Sequence, residues 1–528
     1  MRKWVIVLVA LIAVACAAFL TVVLQINPND FKSVISQEVK AKTGRTFTIA
    51  GDMHWQFWPL TLSASNMSLS DDPNFRSGKL LSIGQMKVAV SPWGLVEKHL
   101  ELGKIELSKV SMSWLRNAQG QTNLQSLLDD VRRASGAHLV DTPSSWQISA
   151  QGVEIHDVTL DFTDQLNHQH IQVSPLNISL GSKGADQSRP LDVSLHFDDG
   201  IHQLQSHLQA SVRVTNNWTN WTLTDFTQTT QFNGQFNQQG VDSLTLSGAA
   251  HFDSQSKQLV MRPLSFSFNK QPSMDGELDF DGSHAPYNVT FNVTGSELQV
   301  PDAKTLLNRF AHQHIQGIDL MNAQGQLKLD QLKVGQITLD HLLSKVVVKK
   351  GAIKFQQLTA DFYKGNLSAN TELDLSQSPA TFDVTGDIAG VDANALFKSW
   401  CQAAPVTGTL RLSTQLQGTL PIQSFHHVKG NVQVNLADGV FAGVNVSTLA
   451  GKGNSELKQF NGRAEFTSDE LNLKALQMQL ANGQTRHASG HWDENTNQAI
   501  LTLFDGDKFL KRLSVSNDLC QPHYLFKN

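Results

Sequence analysis

Cysteine and charge are both scarce in this chain of 528 residues. Three cysteines cannot hold so long a chain together in the way of a disulfide-rich secreted scaffold. Charged residues make up 17%, below the roughly 25% usual for soluble domains, and the formal net charge is -5. This balance excludes a nucleic-acid binder held by a global positive field. An apolar share of 40% also excludes an intrinsically disordered tail.

Long apolar runs are equally scarce, which excludes a polytopic membrane protein. The one such run, residues 4–24, would span roughly 30 Å as a helix. Because Arg2 and Lys3 precede it, the positive-inside rule predicts a cytoplasmic stub (1–3), a transmembrane signal anchor (4–24) and translocation of the remainder. A cleaved signal peptide and a lipoprotein attached at Cys16 are the alternatives. No convincing cleavage site follows Leu24, and the residues after Cys16 are too apolar for a lipoprotein tether.

Residues 28–43 predict an amphipathic helix with Phe31, Val34, Ile35 and Val39 on one face and Gly44 at its end. Such a helix lies near lipid head groups, plugs the end of a cavity, or packs on the next domain. Beyond Gly44 the sequence alternates apolar and polar residues in many short runs, which predicts a mainly β chain. Three further short helices are predicted at residues 122–134, 302–310 and 392–400.

The chain also repeats itself. Residues 290–295 (Thr-Phe-Asn-Val-Thr-Gly) recur as residues 381–386 (Thr-Phe-Asp-Val-Thr-Gly). Each copy leads into a predicted short helix and then into Gly-x-Leu-x-Leu, at residues 325–329 and 408–412.

A shorter unit, which we call the apolar repeat, occurs five times with apolar residues at positions 0, 2, 5, 7 and 9. Its copies are Ile105, Leu107, Val110, Met112 and Trp114; Val153, Ile155, Val158, Leu160 and Phe162; Leu259, Met261, Leu264, Phe266 and Phe268; Ile353, Phe355, Leu358, Ala360 and Phe362; and Leu471, Leu473, Leu476, Met478 and Leu480.

The step from position 2 to position 5 would turn the strand over unless one extra residue, a bulge or tight bend, restores its face. Five identical interruptions therefore predict a curved, mostly antiparallel sheet whose apolar face forms an elongated groove. The residues of the apolar repeat are our candidates for the lining of that groove. The competing interpretation is a series of β-sandwiches with closed cores, but compact domains of that size are usually separated by clearer linkers.

Motifs for catalysis and metal binding are weak. The sequence has no HExxH, GxSxG or P-loop motif, which favours a protein that is not an enzyme and has no cofactor. Two His-x-His pairs, at 168/170 and 312/314, and the adjacent His426 and His427 are more typical of solvated surface histidines than of metal ligands. Cys401 and Cys520 would lie in an oxidising compartment if the predicted topology holds, but sequence alone leaves their pairing open.

The order of several motifs resembles the AsmA family over nearly the whole chain. At the N-terminal end the likeness runs through Asn-Pro-Asn-Asp-Phe-Lys (27–32), Trp-Pro (58–59), Pro-Trp-Gly-Leu (92–95) and Gly-Gln-Thr-Asn-Leu (120–124). At the C-terminal end it rests on the alternating Gly/Val/Leu segment 430–446. Residues 173–248 follow no family pattern that we recognise.

The resemblance implies a bacterial inner-membrane protein with its bulk in the periplasm and a long β-sheet with a hydrophobic groove. It implies binding of phospholipid or other acyl lipid, transport between the membranes, and a contribution to outer-membrane assembly with envelope assembly proteins as partners. The alternative is a periplasmic scaffold that assists outer-membrane protein assembly without carrying lipid. Behind the anchor we expect an N-terminal AsmA-like region (25–134), a middle β region (135–299), a β repeat region with short helices (300–415) and a C-terminal AsmA-like β region (416–528).

Overall fold

The computed structural model describes residues 27–527, apart from 57–59, 76–77, 91–99, 137–147, 167–168, 185, 199–201, 216–218, 235–241, 311–317, 469, 517 and 519. The predicted stub and anchor (1–24) lie outside the described residues, as do the motif segments 58–59 and 92–95. None of the described helices is long and apolar enough to cross a membrane.

The chain divides into two compact units, the first formed by Met1–Val214 with Thr222–Thr245 and the second by Thr215–Trp221 with Leu246–Asn528. The strands of the first unit are β1 (Phe47–Ile49), β2 (His54–Gln56), β3 (Thr61–Ser70), β4 (Lys79–Val90), β5 (Leu100–Arg116), β6 (Ile148–Asp164), β7 (Gln169–Leu180), β8 (Arg189–Asp198), β9 (His202–Thr215) and β10 (Asn220–Gly234).

The strands of the second unit follow in chain order. They are β11 (Ser243–Asp253), β12 (Gln258–Phe268), β13 (Met274–Asp281), β14 (Tyr287–Val300), β15 (Met321–Val334), β16 (Ile337–Lys349), β17 (Ala352–Phe362), β18 (Gly365–Asp374), β19 (Thr381–Asp392), β20 (Val406–Thr419), β21 (Val428–Ala442), β22 (Asn454–Phe466), β23 (Leu471–Leu480), β24 (Thr485–Asp493), β25 (Gln498–Asp505), β26 (Lys508–Ser516) and β27 (Tyr524–Lys527).

Helices are short and few in the described part of the chain. They are α1 (Lys32–Thr43), α2 (Asn123–Gly136), α3 (Ala303–Phe310) and α4 (Ala393–Lys398), with one-turn 3-10 helices at Pro28–Phe31, Ile318–Leu320 and Phe425–His427. All four α-helices fall where the sequence predicts them. The predictions of a mainly β chain with few short helices are therefore confirmed.

Strand pairing is simple within each unit. In the first, β3 to β9 pair in chain order, and both β1 and β2 pair with β3. In the second, β12 to β27 pair in chain order. Among these pairs only β5–β6 and β14–β15 are parallel. Parallel neighbours need a crossover connection, and α2 and α3 lie on these two connections. The predicted mostly antiparallel pairing is thus confirmed.

The bend predicted inside the apolar repeat occurs in all five copies. In four of them the residue at position 4 has a positive φ: Lys109, Asp157, Gln357 and Ala475. In the third copy this residue is Pro263, and the pairing register shifts between Met261 and Leu264. An extra residue at the same place in each copy keeps the apolar side chains before and after it on one face.

Candidate functional site

The first two copies of the apolar repeat lie side by side in the first unit. β5 and β6 run parallel, and every apolar residue of the first copy pairs with its equivalent in the second. The pairs are Ile105–Val153, Leu107–Ile155, Val110–Val158, Met112–Leu160 and Trp114–Phe162. Parallel pairing of equivalent segments therefore aligns both bulges and both apolar faces.

The first four of these pairs continue across neighbouring strands as four rows of side chains, which we call the apolar rows. They are Val88–Ile105–Val153–Leu180–Leu191–Ala210, Met86–Leu107–Ile155–Ile178–Val193–Leu208, Ile83–Val110–Val158–Leu176–Leu195 and Leu81–Met112–Leu160–Val173–Phe197–Leu204. At about 4.8 Å between strands, the six strands from β4 to β9 give rows about 24 Å long. One leaflet of a bilayer is about 15 Å of hydrocarbon, so a row is long enough to lie along an acyl chain.

Most side chains of the apolar rows are half-buried and retain an accessible surface. Four are buried: Val110 (6% exposed) and Val158 (8% exposed) beside the bulges, and Val88 and Ala210 at the two ends of the first row. At the β4 end, Ile83 and Met86 pack against a small cluster of buried residues that also contacts Ile35 of α1. The rows therefore begin under α1 and continue as a broad apolar surface.

Two of the bulges, at Asp157 and Gln357, are each held by an asparagine on the adjacent strand. The Asn177 Oδ1 atom accepts a hydrogen bond from the backbone N–H of Asp157 at 3.1 Å. In the second unit Asn370 Oδ1 accepts one from the N–H of Gln357 at 2.9 Å. The extra residue leaves its N–H outside the ladder, and the amide oxygen satisfies it. Sequence reasoning missed these partners, which lie 20 and 13 residues away along the chain.

The opposite face of the same strands carries cross-strand ion pairs. Lys104 Nζ lies 2.6 Å from Glu154 Oε2 and 3.2 Å from Glu106 Oε1. Because Glu106 and Glu154 are directly paired, the ammonium group offsets their repulsion. Its hydrogen bond lowers the pKa of Glu154, and the pKa of Lys104 is raised in return. The sheet therefore has two chemically distinct sides here, with ion pairs on one face and the apolar rows on the opposite face.

The third and fourth copies lie apart in the second unit. In the third, Leu259, Met261 and Phe266 pair with Phe280, Leu278 and Met274 of β13. In the fourth, Ile353, Phe355 and Leu358 are half-buried, whereas Ala360 and Phe362 are each 5% exposed inside a cluster of buried residues. The end of this copy belongs to a closed core.

The fifth copy is the most enclosed. Leu476, Met478 and Leu480 are 8%, 6% and 3% exposed and belong to the largest cluster of buried residues in the second unit. Ala393 of α4 is fully buried in this cluster, and Phe397 packs against it. Here the sheet resembles the closed-core alternative, and these candidates have little accessible surface.

A disulfide joins Cys401, just after α4, to Cys520 near the C-terminal end, with their Cα atoms 5.2 Å apart. It links α4, which lies on the buried cluster, to the segment that leads into β27. A second cover comes from α3, whose Leu307 packs on another cluster of the same unit. The Asn308 side chain accepts from the Ile422 N–H at 2.7 Å and donates to the Ile422 carbonyl at 3.5 Å.

One of the N-terminal family motifs, residues 120–124, contributes Asn123 to a polar junction between helices and sheet. Asn123, fully buried, accepts from the Leu115 N–H at 2.9 Å and donates to both Asp71 Oδ2 and the Ser113 carbonyl at 2.9 Å. Next to it, Arg45 is 5% exposed at its side chain and pairs with Asp72 and Asp130. A hydrogen bond from the Ser126 hydroxyl is the main reason that the pKa of Asp72 is lowered.

Two of the described candidate histidines pair with carboxylates. His170 pairs with Asp161 at 3.1 Å and His426 with Glu494 at 3.1 Å. Residues 168, 312 and 314 lie outside the described residues. Over the described ranges, no group of three or more His, Cys, Asp or Glu side chains is placed to hold a metal ion.

The two longer repeats, which the sequence treats as equivalent, differ in topology. β14 and β15 are parallel and pair Phe291 with Gly325. β19 and β20 are antiparallel and pair Val391 with Leu410. The first connection, residues 301–320, is long enough to cross the sheet, whereas the shorter second one, residues 393–405, contains α4 and turns the chain back. Although the strand sequences are similar, the connection between the strands therefore determines whether they pair in parallel or antiparallel.

The described residues thus form a mainly β protein, and strands β4 to β9 of its first unit carry apolar rows on one face and cross-strand ion pairs on the other. The profile of the AsmA family matches residues 1–279 and 288–490, so the chain belongs to the AsmA family. A curated relative, Protein AsmA of Escherichia coli (strain K12), is 20% identical over 479 residues, which cover 85% of this chain and 76% of that protein. The resemblance drawn from the motifs is thereby confirmed.

Proposed function

We propose that this chain is a non-catalytic, inner-membrane-anchored periplasmic protein that binds lipid acyl chains along the apolar rows. It would contribute to phospholipid transport between the membranes and to outer-membrane assembly. The observation that carries the proposal is the continuity of half-buried apolar side chains across β4 to β9. The Cys401–Cys520 disulfide supports an oxidising compartment such as the periplasm.

An apolar surface of this kind would shield lipid acyl chains from water. Each methylene group removed from water contributes about 0.8 kcal/mol, so two acyl chains in water are disfavoured by tens of kcal/mol. A sheet with one apolar face keeps the chains dry while the head group stays in water. This transfer needs binding surface and no bond chemistry.

Photo-crosslinking tests the proposal in cells. We expect benzoylphenylalanine at Leu107, within an apolar row, to form adducts with radiolabelled phospholipid. The matched control is Glu106, the preceding residue, whose side chain joins the ion pairs of the opposite face. Equal lipid labelling at both sites would contradict the proposal. Adducts with outer-membrane proteins at Leu107, without lipid, would favour the scaffold alternative.

A charge within the rows should weaken lipid binding. Met112 pairs with Leu81 and Leu160, so Met112→Glu places a carboxylate among apolar partners. The cost of burying that charge against an acyl chain should exceed about 1.4 kcal/mol, which corresponds to at least about a tenfold loss of lipid adducts at Leu107.

Ser111→Glu provides the matched control for this variant. Ser111 is exposed and pairs with Ser82 and Thr159 on the opposite face. Both variants should retain the β-sheet circular dichroism of the unmodified chain. Full lipid labelling in a folded Met112→Glu variant would remove this part of the rows from the binding surface.

A further inference from the structure

Helix α1, together with the one-turn helix Pro28–Phe31 that precedes it, is fixed to the folded unit at both ends. At its start, the Asn29 side chain accepts from the Met53 N–H at 3.0 Å and donates to the Met53 carbonyl at 2.9 Å. At its end, Gly44 adopts the left-handed conformation and donates to the Lys40 carbonyl at 2.8 Å. Arg45 follows at once with its two buried ion pairs. The direction in which each side chain of α1 points is therefore set by the folded unit.

This fixed orientation leaves two large apolar side chains outside. Phe31 is 48% exposed and Val34, in the first turn of α1, is 60% exposed. Ile35, one residue further, turns inward and packs against the same buried cluster as Met86, at the start of the apolar rows. The single apolar face predicted for this helix is thus divided between an inner side and an outer side.

We propose that α1 lies in the head-group region of the bilayer, with Phe31 and Val34 inserted among the lipids. The inference rests on the anchor of the proposed function, because Leu24, the last residue of the apolar run, precedes Phe31 by seven residues. Large apolar side chains at this distance from a bilayer gain by leaving water for the interface. In this position Ile35, Ile83 and Met86 set the first strands of the apolar rows next to the membrane, where an acyl chain can pass from bilayer to sheet.

The test uses the full chain in a Cys16→Ala background, reconstituted in vesicles of phosphatidylethanolamine and phosphatidylglycerol. An environment-sensitive NBD label is placed at Val34→Cys, and the matched control at Ser33→Cys, an exposed site about 100° away on the same turn. We expect the label at 34 to emit at shorter wavelength. We also expect spin-labelled lipid to quench it several-fold more strongly than the label at 33.

Each other outcome overturns the inference in a recognisable way. Equal quenching at 33 and 34 in chains that float with the vesicles means that α1 stands clear of the bilayer while the anchor holds. A blue shift at 34 without quenching by lipid means that a second copy of the chain covers Phe31 and Val34. If the chain does not float with the vesicles, both the anchor and this inference are wrong. Lipid binding by the apolar rows is still tested independently by lipid adducts at Leu107.

Discussion

Removing the disulfide by Cys401→Ala and Cys520→Ala should lower the free energy of unfolding of the C-terminal core by about 4–5 kcal/mol. The bond closes a loop with a sequence separation of 119, and closing a loop of ~100 residues is worth about 4.7 kcal/mol in the chain-entropy model. The loss should appear as a lower urea midpoint for the second unit. Reduction of the unmodified chain should shift the midpoint in the same direction.

The structural consequence should be local to the covered cluster. Leu396 and Phe397 of α4 pack on the buried clusters of the second unit, and Cys401 ties this helix to the C-terminal segment. Without the bond, amide hydrogens of α4 and β27 should exchange faster than those of β5. Cys16→Ala, which leaves the bond intact, is the control. An unchanged midpoint in the double variant would mean that packing alone holds α4 in place.

Asn123→Ala should lower the free energy of unfolding of the first unit by about 3 kcal/mol. The substitution leaves the buried Leu115 N–H without its acceptor and removes a donor from Asp71, which is 6% exposed. Each buried polar group left without a partner costs roughly 1–3 kcal/mol. Gln121→Ala, an exposed amide residue in the same turn, should change stability by less than about 0.5 kcal/mol in thermal denaturation.

A second variant separates the role of the amide from the loss of side-chain volume. Asn123→Asp keeps the acceptor for Leu115 but sets a carboxylate against Asp71 Oδ2, where the amide nitrogen now lies at 2.9 Å. Two carboxylates this close raise one pKa in the folded state. Stability of this variant should therefore be lower at pH 7.5 than at pH 5, since the raised pKa favours the protonated form. A variant with no such pH dependence would show that the two side chains move apart.

Sequence periodicity was informative because burial of one strand face imposes a period of two on the residues themselves. The step in the apolar repeat identified the bulges at Lys109, Asp157, Gln357 and Ala475, since only an extra residue restores the face. Helix positions followed from the same kind of local signal. These features depend on neighbouring residues, so a single sequence contains them.

How deeply each of the five copies is buried depends on which elements pack over that part of the sheet. The sequence of the copy itself does not specify those elements. The residues at 105–114 and 153–162 form half-open rows because their parallel strands continue into β7, β8 and β9 with matching apolar faces. The residues at 476–480 repeat the same pattern, yet they are enclosed in a cluster of buried residues that includes Ala393 of α4. Equal local sequence therefore led to unequal accessibility.

By itself, then, the sequence determined the β character, the bulge positions, the four helices and the family of this protein. Only the tertiary structure decided that two copies pair in parallel, that asparagines 13 and 20 residues away hold two of the bulges, and that α1 turns Ile35 inward and Val34 outward. The physical reason is that the alternation of apolar and polar residues shows only which face of a strand is buried. Which element packs on that face depends on connections and contacts between residues that are far apart in the chain.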